Sequence, residues 1–133
     1  MATTEMNCLA SGGGISETDL WTNGNPSSSY SGGVSETLSK DIDNFDELGF
    51  EYCYSTSQTS LIYEVRVPVE SFKISSTNSR QGFGVNYLGN NLFRVPVYST
   101  NTSLTISGCY YLGSSSSDNS MTIPLRIIGY KYG

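Results

Sequence analysis

Residues 47–54 read Glu-Leu-Gly-Phe-Glu-Tyr-Cys-Tyr. Successive side chains of an extended chain point to opposite faces, so Leu48, Phe50, Tyr52 and Tyr54 fall on one side and Glu47, Gly49, Glu51 and Cys53 on the other. The stretch predicts a strand with one buried face. Leu61, Tyr63, Val65, Val67 and Val69 repeat the alternation, with Glu64 and Arg66 turned the other way. Further runs place Phe83, Val85 and Tyr87, then Phe93, Val95 and Val97, then Leu104 and Ile106, and finally Ile123, Leu125 and Ile127 toward a core. With Leu20–Thr22 and Val34–Leu38 added, about eight strands are expected. Helical periodicity is almost absent.

The connections point the same way. Asn90-Asn91 and Thr100-Asn101 read as tight hairpin turns, and Ser114–Ser120 as a longer polar loop, so consecutive strands are expected to pair antiparallel. Pro68, Pro96 and Pro124 lack the N–H of a central ladder and should lie at edges, bulges or strand ends. Only Lys40–Asp46, with Ser39 as its cap, suits a helical turn. The expected fold is all-β: an antiparallel, jelly-roll-like β-sandwich over residues 18–133. Residues 1–17, with Gly12, Gly13 and Gly14, read as a flexible arm.

The chain has 133 residues, consistent with one domain, and only 14% are charged, against roughly 25% in an average soluble protein. Its net charge of −5 offers no basic stripe, which argues against nucleic acid and against anionic membrane surfaces as partners. No apolar run approaches the ~20 residues of a spanning helix, and the N-terminal stretch lacks the basic and apolar regions of a signal peptide. Cys8, Cys53 and Cys109 are odd in number and far apart. Packed free thiols and synthesis in a reducing cytoplasm are expected, with a Cys53–Cys109 bridge left open by spacing alone.

Catalytic signatures are sparse. There is no histidine, which removes the Ser-His-Asp and Cys-His arrangements and the usual base near neutral pH. Carboxylate chemistry needs two carboxyls across a cleft, whereas Asp41, Asp43, Asp46 and Glu47 are sequence neighbours that read as a solvated turn. Those residues also lack the Gly and distant Glu of a calcium loop. Gly82-Phe83-Gly84 sits inside a strand pattern with no helix after it, so it reads as close packing and not as a phosphate cradle. No enzyme activity, cofactor or metal is expected. The remaining resource is ten Tyr amid many Asn and Ser, a mixture of flat apolar rings and adaptable hydrogen bonds found on recognition surfaces. The outward candidates for recognition or a subunit interface are Tyr98, Tyr110, Tyr111, Tyr130 and Tyr132. Trp21, the only Trp, reads as a packed anchor.

Leu20-Trp21-Thr22-Asn23 with Asn25-Pro26-Ser27-Ser28-Ser29-Tyr30 resembles a recurring start of β-sandwich domains in tailed-bacteriophage minor tail, tail-fibre and decoration proteins. The likeness runs on through Leu38-Ser39-Lys40-Asp41, Phe45–Tyr52 and Val67–Phe72, and closes on Pro124–Lys131. The resemblance implies a non-enzymatic virion protein made in the bacterial cytoplasm, commonly a homo-oligomer and often a homotrimer, that takes part in host-surface attachment. The short arm would then tether it to other virion proteins. The other expectation is a carbohydrate-binding module of a secreted or cell-surface protein, which would use the same Tyr and Asn inventory.

Overall fold

In a computed structural model the described residues are 14–74 and 82–133. Residues 1–13, and with them most of the expected arm, lie outside these. Ten strands are formed among the described residues: β1 (Ile15–Thr22), β2 (Ser35–Thr37), β3 (Glu47–Ser55), β4 (Gln58–Pro68), β5 (Phe83–Tyr87), β6 (Asn90–Arg94), β7 (Pro96–Thr100), β8 (Ser103–Ile106), β9 (Tyr110–Tyr111) and β10 (Met121–Tyr132). They make a four-stranded sheet ordered β1-β10-β3-β4 and two three-stranded sheets, β2-β8-β7 and β5-β6-β9, with every ladder antiparallel. The all-β, sandwich-like fold is therefore as expected. Strand β1 starts at Ile15, opposite Tyr132, so the ordered domain reaches into the last residues assigned to the arm.

The opening stretch forms β3, and its Leu48, Phe50 and Tyr52 are buried. Phe50 stacks on Phe83 (6.1 Å between centroids) and tilts against Phe72 (5.9 Å), while the Tyr52 hydroxyl donates to Gly84 O at 2.9 Å. These contacts join the four-stranded sheet to the opposite layer. Leu104 and Ile106 of β8 are fully buried in the same core. Trp21 is half-buried, packed against that core and set edge-on to Tyr30, with its Nε1–H donating to Glu36 at 3.1 Å. It is an anchor.

The prolines keep to their expected places. Pro68 ends β4, Pro96 begins β7, and Pro124 sits at the bulge where the β10–β3 register shifts. Other local expectations change. Val69 opens a short helix, α1 (Val69–Ile74), in place of continuing β4, with Val69 and Phe72 on its buried side and Glu70 and Lys73 placed to complement the helix dipole. The helical turn within Lys40–Asp46 is a 3₁₀ turn over Ile42–Asn44. Asp41 caps it, accepting from Asp43 N–H at 2.8 Å, while the Ser39 hydroxyl bonds Asp19 O. The β5–β6 turn is Leu88-Gly89, with φ of +50° and +84°, and Asn90-Asn91 belong to β6. Both central residues of a two-residue hairpin of this hand need positive φ, which Gly supplies at Gly89. Leu61 and Tyr63 alternate as expected but stay 46% and 39% exposed, because β4 is an edge strand.

The largest correction is in β6. Phe93 and Val95 were expected inward, yet Leu92 and Arg94 point into the core, opposite Val85 and Phe83. Arg94 is completely buried. Its Nε–H donates to Thr122 O (2.6 Å), Nη1 to Ser107 O (3.0 Å), and Nη2 to Asn119 O (3.2 Å) and Met121 O (3.1 Å). The guanidinium carbon lies 5.1 Å from the Tyr30 ring centroid. Thr122 holds φ of +52°, strained for a β-branched residue, in the conformation whose carbonyl meets Arg94. A period-two rule sends arginine to solvent, and so it misplaced the whole strand.

Arg94→Met keeps volume but leaves these carbonyls without donors. Buried unsatisfied groups cost about 1–3 kcal/mol each, so a loss of at least about 3 kcal/mol is expected in urea unfolding. Arg94→Lys, with fewer donors in no fixed fork, should recover only part of it.

Candidate functional site

The five sequence-predicted tyrosines go to different places. Tyr98 on β7 is half-buried, edge-on to Phe72 (6.0 Å), and its hydroxyl donates to Asn101 Oδ1 at 2.7 Å. Asn101 in turn bonds Asp43, which pairs with Lys73 at 2.7 Å, so Tyr98 belongs to a packed polar cluster. Tyr111 is half-buried against the core. Tyr130, expected to point outward into solvent, is only 3% exposed. Its alternation is as expected, but Gly49 on the neighbouring strand lets the ring lie flat on the sheet. A Cβ at Gly49 would come within 2.6 Å of it. The Arg66 guanidinium then roofs the ring at 3.9 Å, and the Tyr130 hydroxyl donates to Glu64. Tyr132 is exposed and donates to Glu47. Tyr110 on β9 is 42% exposed.

Two surfaces of opposite character result. The outer face of the four-stranded sheet is an ion-paired lattice. Arg126 forks onto Glu51 (2.9 and 3.1 Å) and reaches Asp19 (2.8 Å), and Arg66 Nε meets Glu64 at 3.2 Å. Both of its arginines are already paired within the chain.

Among the described residues, the outer face of the β5-β6-β9 sheet carries no charge. Phe93 stands between Gly84 on β5 and Tyr110 on β9, and Asn86 opposes Asn91 one step along. Leu112 N–H donates to Asn91 O at 2.8 Å and continues the ladder, which brings the 66%-exposed Leu112 beside Asn91. Gly84 adds no side chain next to Phe93, and the strands are closely packed there: a Cβ at Gly84 would come within 2.3 Å of Leu92 O and 3.1 Å of Phe93 Cβ. The two amides are held: Asn86 Nδ2 donates to Asn91 Oδ1 (3.2 Å), and Asn86 Oδ1 accepts from Gly89 N–H (3.3 Å). The result is an aromatic strip beside oriented amides.

A cleft of about 270 Å³ opens at the end of this sheet, where the β3–β4 turn, the β5–β6 hairpin and the loop before β10 converge. Tyr54, Gln58, Tyr87, Asp118 and Ser120 are among its lining residues. Tyr54 is fixed by its hydroxyl donating to Asn86 O (3.1 Å), and Thr56 N–H donates to Ser120 O (2.9 Å). Asp118 accepts from the Ser120 N–H (3.1 Å) and hydroxyl (2.6 Å). A larger cleft of about 400 Å³ at the opposite end is lined by Asp43, Asp46, Glu70 and Lys131 around Phe45, Pro68 and Val69. Lys73 donates to Asp43 and lowers its carboxyl below the ordinary range. Among the described residues no group of three or more His, Cys, Asp or Glu is placed to hold a metal ion.

Of these residues the sequence singled out Tyr110 alone, which is exposed as expected, and Phe93, Asn86, Asn91, Tyr54 and Tyr87 were not among its candidates. The alternation places Phe93 in the core, and Gly84 opposite it does not correct that reading, since it marks close packing of the two strands, as expected. Neither a protein-family model nor a curated protein matches the chain.

Several tyrosines hold their protons tightly. Burial, then the Glu64 carboxylate, raises Tyr130 to about 12. Burial and Glu36 raise Tyr30, burial raises Tyr52, and Glu47 raises Tyr132. Above the ordinary tyrosine value of about 10 the unfolded chain releases protons that the folded chain keeps, so folding stability falls as pH rises. Chemical denaturation should show full stability from these groups below pH ~10 and a decline above it. Tyr130→Phe should make the decline between pH ~10 and ~12 shallower.

Proposed function

We propose that the protein is a non-catalytic structural component of a tailed-phage-type virion that recognises a glycan of the bacterial surface. The outer face of the β5-β6-β9 sheet and its adjoining cleft would be the binding region. The observation that carries this reading is the pairing of a half-buried Phe93 with the exposed Tyr110, flanked by the Asn86 and Asn91 amides on sheet residues that bear no charge. Sugar rings offer apolar C–H faces and a rim of hydroxyls. They suit a flat aromatic surface bordered by groups that both donate and accept, where no ion has to be stripped of water. Attachment to the particle and the self-association of its subunits rest on the family resemblance.

The cleft supports a second reading, a carbohydrate-binding module of a secreted or cell-surface protein. Tyr54 and Tyr87 with Gln58 and Asp118 form a concave aromatic site with a few convergent polar groups. Both readings share the ligand class and differ in where the protein resides.

Binding of the labelled chain to purified lipopolysaccharide and capsular polysaccharide from candidate hosts tests the recognition step. Phe93→Ala and Tyr110→Ala should each weaken binding by about two- to tenfold, since a lost aromatic contact is worth roughly 0.5–1.5 kcal/mol, while Tyr132→Ala should leave it unchanged. Binding indifferent to both aromatic substitutions would remove this face from consideration. Antibody labelling of intact particles decides between virion and secreted module.

A further inference from the structure

Strand β4 is an edge of the four-stranded sheet among the described residues, and its apolar Leu61, Ile62 and Tyr63 are 46%, 53% and 39% exposed. An edge of this length is a template for another strand unless something covers it. The hydrogen-bond phase shows what it offers. Val69 N–H donates to Asp46 O at 3.0 Å, in register with the β3–β4 ladder in which Glu47 faces Pro68 and Leu48 faces Val67. Residues 63, 65 and 67 therefore turn their backbone groups toward β3, and Ile62, Glu64 and Arg66 turn theirs to the free edge. Pro68 is in phase with that edge and presents only its carbonyl, so its missing N–H costs the ladder to β3 nothing. Below Ile62 the register shifts, between Cys53 and Ser55, which leaves a regular segment Ile62–Pro68 with Val65 at its midpoint.

We propose that β4 pairs antiparallel with β4 of a second copy about a two-fold axis at Val65. In that register each Glu64 faces the partner's Arg66, and the two exchange both backbone hydrogen bonds. Each Ile62 N–H reaches the partner's Pro68 carbonyl, and Tyr63 lies against the partner's Val67. Charge fixes the choice. Moving the axis one residue either way sets Glu64 against Glu64 or Arg66 against Arg66, and like charges directly opposite are destabilising. A half-step would face outward-turned residues with inward-turned ones. The pairing joins two four-stranded sheets into one of eight strands, and it leaves the β5-β6-β9 face of each copy open. It stands independently of the glycan reading, and it predicts a closed dimer where the family resemblance implies a trimer.

Light scattering on the full chain over a range of concentrations should report a dimer. Arg66→Glu should weaken association by at least about tenfold, and the reversed pair Glu64→Arg/Arg66→Glu should restore it, with circular dichroism confirming the fold of each. Independently of charge, Val65→Cys in a Cys8→Ser background should oxidise to a covalent dimer. Two residues facing each other across the axis fall within disulfide reach, whereas Tyr63→Cys alone should not crosslink. A monomeric or trimeric unaltered chain, or crosslinking through position 63 instead of 65, overturns the proposal.

Discussion

A buried guanidinium must replace its lost hydration with protein acceptors, and Arg94 does so with backbone carbonyls. No carboxylate pairs with it among the described residues. Burial pushes it down to about 10, which leaves it charged at neutral pH. The carbonyls come from Ser107, Asn119, Met121 and Thr122, and so from the end of β8, the loop before β10 and the start of β10 itself. One side chain on β6 thus fixes three segments that no continuous ladder joins. The strained Thr122 is held by the same interaction, and Cys109, whose thiol burial pushes up, donates to the Thr122 hydroxyl at 3.4 Å.

This arrangement sets the limit of what could be read beforehand. The alternation in β3 was legible because a strand in the middle of a sheet has its register fixed by neighbours on both sides, and Leu48, Phe50 and Tyr52 face the opposite layer as expected. The prolines were legible because a missing N–H admits few positions. In β6 the same rule failed. A residue at Arg94 is classed as outward by its charge, and a one-residue error in phase moves every side chain to the other face. The four carbonyls that make burial tolerable come from residues 13 to 28 positions away, beyond any local window. The candidate surface inherited that error, since Phe93 became a core residue on paper and the strip it makes with Tyr110 disappeared.

Tyr130 failed for a different reason. Its alternation was assigned correctly, but a face is not the same as exposure: Gly49 leaves a trough, the ring fills it, and the Arg66 stem and guanidinium close it over. In the lattice of Asp19, Arg126, Glu51, Glu64 and Arg66, three carboxylates engage both arginines of that sheet face. A face whose arginines are already paired has little to offer an anionic ligand, and among the described residues Glu64 and Arg66 lie on an edge strand of that sheet.

The uncharged face has the converse character, and Arg94 bears on it directly. Strand β9 is two residues long, with β6 on one side and only a bridge from Tyr110 to Ser117 on the other, so its own ladder does little to position Tyr110. What holds it is the loop on either side. Asn119 Oδ1 accepts from Cys109 N–H at 2.9 Å, Asp118 N–H donates to Cys109 O at 2.9 Å, and Asn119 O is itself bound by Arg94. The strip is therefore anchored from beneath by the side chain that alternates with Phe93 on the same strand. A flat aromatic surface loses little entropy on binding when it is rigid beforehand, and here the rigidity derives from the buried charge that broke the sequence pattern. The residue that hid the surface from a reading of alternation is the one that preorganises it.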